Sequence, residues 1–286
     1  MNKKVVPALC FLLFAAALSS PSFGATLVGW YRFDDSSQLA KDSSGLNNHG
    51  TVIDNGAAPI YSTTGYTGGA ADFRNGGKIN IPFNTGPSLW PDLTWGAWVK
   101  PRTTSGIRQL FNNDDGGFDR ALGIDNRSAG NFSAFTGAGT YNTGILPSTN
   151  SWTFFAGVYE NNFYGSGQGR LTLYVGNQIL SDIRTTYGTT AWTYTSIGGS
   201  PTFGEFWDGL IDDAFLIGGA ATAAEMSQIM NSPNSINTIA QGMVPEPSSG
   251  VLLVAGLAAL AVMRRRWDWF NRRPSTQGRG SRFARS

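Results

Sequence analysis

Leu171-Thr172-Leu173-Tyr174-Val175 alternates its side chains with a period of two, and Gly176-Asn177 then turns the chain toward Ile179-Leu180. A period of two puts Leu171, Leu173 and Val175 on one face of an extended strand, and a Gly-Asn pair between two such runs reads as a hairpin. Working outward, Ile79 and Ile81 point one way while Lys78 and Asn80 point the other. Thr94 to Val99, Thr153 to Tyr159 and Leu210 to Ile217 are apolar on both faces and read as central strands. Clusters of Gly, Asn and Asp separate these runs, while Lys, Glu and Leu are scarce; that is strand-and-turn composition. Only Ala220 to Met230 has helical character, with Thr222 as N-cap and Glu225 three positions on. The expected architecture is all-β: a two-sheet antiparallel sandwich with one short helix.

Both ends of the chain carry addressing segments. Met1 to Gly24 has a Lys3-Lys4 n-region, an apolar stretch from Val5 to Leu18, and small residues Ser22 and Gly24 at positions −3 and −1. It reads as a secretory signal peptide cleaved after Gly24. Near the other end, Val244-Pro245-Glu246-Pro247-Ser248 precedes the uncharged run Gly250 to Met263, which stops at Arg264-Arg265-Arg266. Proline keeps the first part extended. The apolar run reads as a marginal membrane helix, and the arginines belong on its cytoplasmic side. Its order resembles the PEP-CTERM sorting signal, with Pro245, Glu246, Pro247, Arg264, Arg265 and Arg266 as the matching positions. That resemblance implies processing by an exosortase-type sorting enzyme. Signals of that family stop soon after the arginines, whereas here a basic tail of residues 267–286 follows. The expected organisation is a signal peptide (1–24), a body (25–240), a sorting signal with a membrane helix (241–266; membrane contact through 248–266) and the tail.

Removing the ends changes the charge. The whole chain is +2, but Thr26 to Met243 holds 11 Lys and Arg against 17 Asp and Glu, a net of −6. An acidic exported body disfavours nucleic acid as a partner. Cys10 is the only cysteine and leaves with the signal peptide, so the mature chain has no disulfide, thiolate metal site or cysteine nucleophile.

Five blocks across residues 27–230 resemble, in order, the laminin-G-like, concanavalin A-like jelly-roll domains of bacterial surface proteins. They are Leu27 to Asp35 with Asp42 to Thr51; Ala71-Asp72-Phe73 with Ile79 to Pro82; Leu93 to Pro101; Trp152 to Tyr159; and Gly209 to Phe215. The resemblance implies a jelly-roll sandwich, contact with polysaccharide or adhesion, and a calcium ion tying the first strands to the last.

The candidate chemistry is sparse. His49 is the single histidine, so a Ser-His-Asp triad would have to use it. Glu160, Glu205 and Glu225 are the only body glutamates, and the clustered acids of a glycosidase strand are missing. Asp114-Asp115 and Asp212-Asp213 are adjacent pairs, expected to face opposite sides of a strand. Calcium takes oxygen ligands, and Asp34, Asp42, Asn47 and Asp212 are the candidates. The competing reading gives Asp42 and Asn47 to Asx turns and Asp212 to an arginine or backbone amides. Among the aromatics, Trp30, Trp95, Trp98 and Trp152 sit in strand blocks and read as core. Trp90, Trp192 and Trp207, with Tyr141, Tyr164 and Tyr187, lie near turns and are candidates for an exposed sugar-stacking platform. The functional expectation is an exported, non-catalytic surface or matrix protein contacting polysaccharide. A carbohydrate-active hydrolase or lyase and a purely structural matrix protein are the alternatives.

Overall fold

In the computed structural model, residues 25–186 and 192–239 are described. The expected signal peptide (1–24), Tyr187, the Pro-Glu-Pro segment, the apolar run, the arginines and the tail lie outside the described residues. Among the described residues no helix is long and apolar enough to cross a membrane.

Among the described residues fifteen strands follow one another: β1 (Thr26–Tyr31), β2 (Thr51–Ala57), β3 (Ile60–Ser62), β4 (Ala70–Arg74), β5 (Gly76–Ile81), β6 (Leu93–Pro101), β7 (Arg108–Asn112) and β8 (Ala121–Asp125). Then come β9 (Asn131–Phe135), β10 (Thr140–Asn142), β11 (Thr153–Gly165), β12 (Gln168–Val175), β13 (Gln178–Thr185), β14 (Thr195–Ile197) and β15 (Asp208–Gly218). They build two antiparallel sheets. The first runs β13-β12-β11-β6-β15-β4-β3, with β1 also paired to β15; the second runs β10-β9-β8-β7-β14-β5-β2. The β12–β13 hairpin forms as expected. Val175 faces Gln178 across the turn, and Gly176 takes φ 56°, the positive φ that a type II′ turn asks of its first central residue.

The three strands that are apolar on both faces, β11, β6 and β15, stand side by side. Their inner residues, including Trp95, Val99, Phe155 and Leu216, pack between the sheets. Their outer residues, including Trp98, Phe154, Phe215 and Ile217, form a second cluster with Met226, Ile229 and Ile236. That cluster is covered by α1 (Ala223–Asn231) and the 3-10 helix Pro233–Thr238. The α1 cap is reciprocal: the Thr222 hydroxyl accepts from the Glu225 amide, and the Glu225 carboxylate accepts from the Thr222 amide at 2.7 Å. Gly96 permits the β6–β11 approach, since a Cβ there would lie 2.4 Å from that of Ala156.

Candidate ligand-binding face

On the second sheet, Ile79, Ile81, Phe111, Leu122, Ile124, Phe132, Ala134 and Ile197 point into the core. The residues between them therefore point away from it, and many are polar. Register sets Asn80, Ser196 and Asn112 side by side on β5, β14 and β7. The Ser196 hydroxyl donates to Asn80 Oδ1 at 2.8 Å. One step along, Gln109 lies beside Gly123, which lies beside Ser133. Gly123 leaves room for this amide, because a Cβ there would come within 2.8 Å of Gln109 Oε1.

Of these, Ser196, Asn112, Gln109 and Ser133 are buried, and loops roof the face. Residues 198–207 cross it, held by Lys78 Nζ donating to the Ser200 and Pro201 carbonyls (2.8 and 3.1 Å), by Arg108 donating to the Phe206 carbonyl (2.9 Å), and by Gln109 Nε2 donating to Glu205 Oε2 (3.0 Å). Residues 113–119 form the facing turn, with positive φ at Gly116, Gly117 and Phe118. There Asp114 Oδ1 accepts from the Gly116 and Asp119 amides. Asn113 Nδ2 donates to the carbonyls of Trp192 and Tyr194 (2.8 and 2.7 Å), and Trp192 Nε1 donates to Thr202 Oγ1 (2.9 Å), which links the turn to the roof. Arg127 grips Asp125 through Nε and Nη2 and lies over the Phe118 and Phe135 rings. The rim is aromatic: Phe203 is 58% and Trp192 38% exposed.

Several polar atoms on this face have no partner. Asn112 Nδ2, Asn113 Oδ1 and Asp119 Oδ2 are buried without a hydrogen bond, a condition native structures seldom tolerate. Asp119 is 3% exposed. Burial, with the Asp114 and Asp115 carboxylates beside it, pushes its carboxyl up to about 7. Burial likewise raises Glu205, opposed by its bond from Gln109 and by the Arg127 charge. Together the face offers amides, carboxylates, a guanidinium and flanking rings, the groups that bond hydroxyls and stack on apolar ring faces.

Of the expected aromatic platform, the structure places Trp192 here. Trp207 is a correction: it is wholly buried, 0% exposed, in the core between the sheets. The roof loop ends by re-entering the sandwich at β15, so its last aromatic becomes core. Trp90 stands apart from Trp207. It is half-buried against the core, and a Cβ on Gly218 would fall 1.9 Å from its ring. Tyr141 packs partly on the same core, and Tyr164 lies under Arg184. Sequence reasoning did not single out Asn112, Asn113, Gln109, Asp119 or Arg127. The available signal was polar residues alternating with core residues in β7, β8 and β9.

The calcium candidates serve other ends. The Asp42 carboxylate accepts from the amides of Trp30, Ser44 and Asn48 and from the Ser44 hydroxyl (2.7–3.0 Å). His49 Nδ1 accepts from the Asp42 amide, closing the same loop. Asn47 is exposed in a left-handed turn, φ 61°. Asp34 accepts from the Gly69 amide (2.7 Å) and pairs with Arg32 (2.9 Å). Asp212 accepts from the amides of Tyr66, Thr67 and Asp213 (2.8, 2.9 and 2.7 Å). Among the described residues no three acids or histidines gather to hold a metal. With the Asp42 and Asp212 oxygens engaged by protein donors, these residues do not fit a calcium ion.

Asp212 and Asp213 bring a further correction. They do not face opposite sides. Register shifts between Asp212 and Phe215, where β15 changes neighbours from β4 to β1, and Asp213 takes φ 46°. This bulge turns both carboxylates onto the 65–69 loop: Asp213 accepts from the Thr67 hydroxyl (2.6 Å) and Trp30 Nε1 (3.0 Å). Burial, then the neighbouring Asp213, raises Asp212 to about 8; burial also raises Asp213, to about 6.

The model of the concanavalin A-like lectin/glucanases superfamily matches residues 73–227. No curated protein sequence matches significantly. Domain 4 of AbnA, a GH43 extracellular arabinanase from Geobacillus stearothermophilus solved with arabinotriose, is similar in fold: 20% identity over 77% of this chain and all of that one, TM-score 0.52. So are the receptor-binding domains of botulinum neurotoxin type G (12% identity, 72% of this chain, TM-score 0.50) and mosaic serotype C/D (15%, 72%, 0.50). This chain spans about half of those two (51% and 50%). With a family match over more than half its length and a two-sheet antiparallel sandwich to carry it, the chain belongs to the concanavalin A-like lectin/glucanases superfamily.

Proposed function

We infer that this is an exported, non-catalytic surface or matrix protein that contacts extracellular polysaccharide through the roofed face of its second sheet. The observation that carries this reading is the exposed aromatic rim of that face, Trp192 at 38% and Phe203 at 58%, beside a sheet surface lined with polar side chains. Exposed rings of this kind stack on the apolar faces of sugar rings. The arabinotriose complex of a domain with the same fold supports the reading by analogy of fold alone. Export and sorting rest on the sequence: residues 1–24 as signal peptide, Pro245-Glu246-Pro247 with residues 248–266 and Arg264 to Arg266 as an exosortase-type signal, body outside the cytoplasm, final site the cell surface or matrix.

A second reading, a hydrolase or lyase, is favoured by the raised carboxyls of Asp119 and Glu205 on one face. Glycan-array binding and product analysis with purified exported protein separate the two. The binding reading expects bound glycan without released product, and affinity lowered about tenfold, roughly 1.4 kcal/mol, by Trp192→Ala or Phe203→Ala. Depolymerisation lost on Asp119→Asn would establish an enzyme. Neither binding nor cleavage would leave a structural matrix protein.

A further inference from the structure

We propose a second saccharide-binding site on the opposite side of the sandwich, where an exposed Tyr66 stands beside Trp152 and the loop that carries Tyr66 meets, through Asp34, a polar pocket walled by Arg32, Asp34, Gln38 and Lys41. It shares the ligand class of the reading above, but none of its residues.

The 65–69 loop lies against the outer cluster of the first sheet. Its Tyr66 ring stacks on Trp98 (centroids 5.1 Å apart, planes 18° apart), and Trp152 stands nearly upright beside it (6.2 Å, 68°). Trp98 is buried and Trp152 half-buried, yet Tyr66 is 42% exposed. One ring face is therefore fixed on a buried indole while much of the side chain meets solvent.

The chain commits unusual resources to holding this loop. Two wholly buried carboxylates, a β-bulge and a left-handed aspartate converge on the amides of Tyr66 and Thr67 and the Thr67 hydroxyl. Burying such groups and adopting φ 46° both cost free energy. An apolar side chain reaching up from β15 would cover Trp98 at less cost. What the arrangement provides instead is a rigid, exposed aromatic ring.

The loop also abuts a cavity of about 390 Å³ lined by Arg32, Phe33, Asp34, Asp35, Gln38, Lys41 and serines, within the size range of small-ligand pockets. Asp34 joins the two features: it accepts from the Gly69 amide, and a Cβ on Gly68 would sit 2.3 Å from its Oδ1. The cations are internally balanced, Arg32 by Asp34 and Lys41 by Asp35 (2.9 and 3.4 Å). The walls thus present donors and acceptors of both signs without net charge, which suits a neutral polyhydroxylated unit rather than an ion or a lipid.

The test is native affinity electrophoresis of the purified exported protein through gels containing arabinan, xylan, β-glucan or galactomannan, with precipitation of the same polymers as a second readout. Two sites per chain make a monomer a cross-linker. Wild type is expected to be retarded and to precipitate at least one polymer. Tyr66→Leu, which keeps apolar cover over Trp98 but removes the ring, is expected to abolish precipitation while retaining retardation, with an unchanged melting temperature; Tyr66→Trp is expected to restore precipitation. If Trp192→Ala alone removes all retardation and Tyr66→Leu changes neither readout, the second site is refuted and the roofed face stands. If Tyr66→Leu weakens retardation and Trp192→Ala does not, the second site stands and the roofed face falls. If no polymer retards wild type, both fail.

Discussion

Replacing Asp212 by asparagine should change how stability depends on pH, and the structure sets the size of the effect. The Asp212 carboxyl is raised from 3.8 to about 8, first by burial and then by Asp213, against the pull of three amide donors. An acid that holds its proton more tightly when folded contributes stability that is complete below about 3.8 and is lost as pH rises to about 8. Asp213, raised to about 6, is largely ionised above that pH. Asp119, raised to about 7, is present in both proteins, so it cancels from their difference. Between pH 6 and 8 Asp212 therefore removes about 2–3 kcal/mol from the wild type, at about 1.4 kcal/mol per unit. Asparagine has no such slope. Its carbonyl can replace Oδ2, which serves both Tyr66 and Thr67, but its NH2 then faces the Asp213 amide in place of Oδ1. That mismatch costs about 1–3 kcal/mol at every pH. Asp212→Asn should be less stable than wild type at pH 5, and the gap should close or invert by pH 8.5. Urea unfolding followed by tryptophan fluorescence measures it, with Trp30, bonded to Asp213, among the reporters. A gap that stays constant from pH 5 to 8.5 would refute the assignment of a buried, protonated Asp212.

Trp207 and Trp192 should behave oppositely. Trp207→Ala should cost about 3–5 kcal/mol of stability, whereas Trp192→Ala, at the rim, should cost about 1 kcal/mol or less while lowering glycan affinity; chemical denaturation beside binding assays tests both. Because the Asp42 and Asp212 oxygens are engaged by protein donors, calorimetric titration of calcium into chelator-treated protein should give no heat and no rise in melting temperature; a rise of several degrees would restore the metal. Mass spectrometry of the mature protein should find an N-terminus at Ala25, one residue before β1, and a C-terminus near Pro245-Glu246-Pro247. An intact chain through Ser286 would argue for a permanent anchor instead.

Strand periodicity made the sandwich legible. The paired apolar faces of β6, β11 and β15 foretold their central position, and Thr222 with Glu225 foretold the helix start. The ligand face was harder to read. Asn80 and Ser196 are 116 positions apart yet share a hydrogen bond, and alternation says which face a residue occupies without saying which strands are neighbours. Asp212 misled because strict alternation assumes an unbroken ladder. The break at residues 212–215 follows from β15 exchanging β4 for β1 along one edge, a long-range event with no local signature. Trp207 misled because a Gly- and Pro-rich context marks a loop but not whether the loop re-enters the core.

The sequence by itself determined the class of fold, the net negative charge of residues 26–243 and the start of the helix. All of these depend on composition or on neighbours within about ten residues. Only the tertiary structure decided which polar side chains meet beneath the roof loop, why Asp212 and Asp213 turn the same way, and that Tyr66 lies on Trp98 with much of its side chain exposed. Those outcomes depend on strand order and on a bulge, both settled by packing between segments that are remote in sequence.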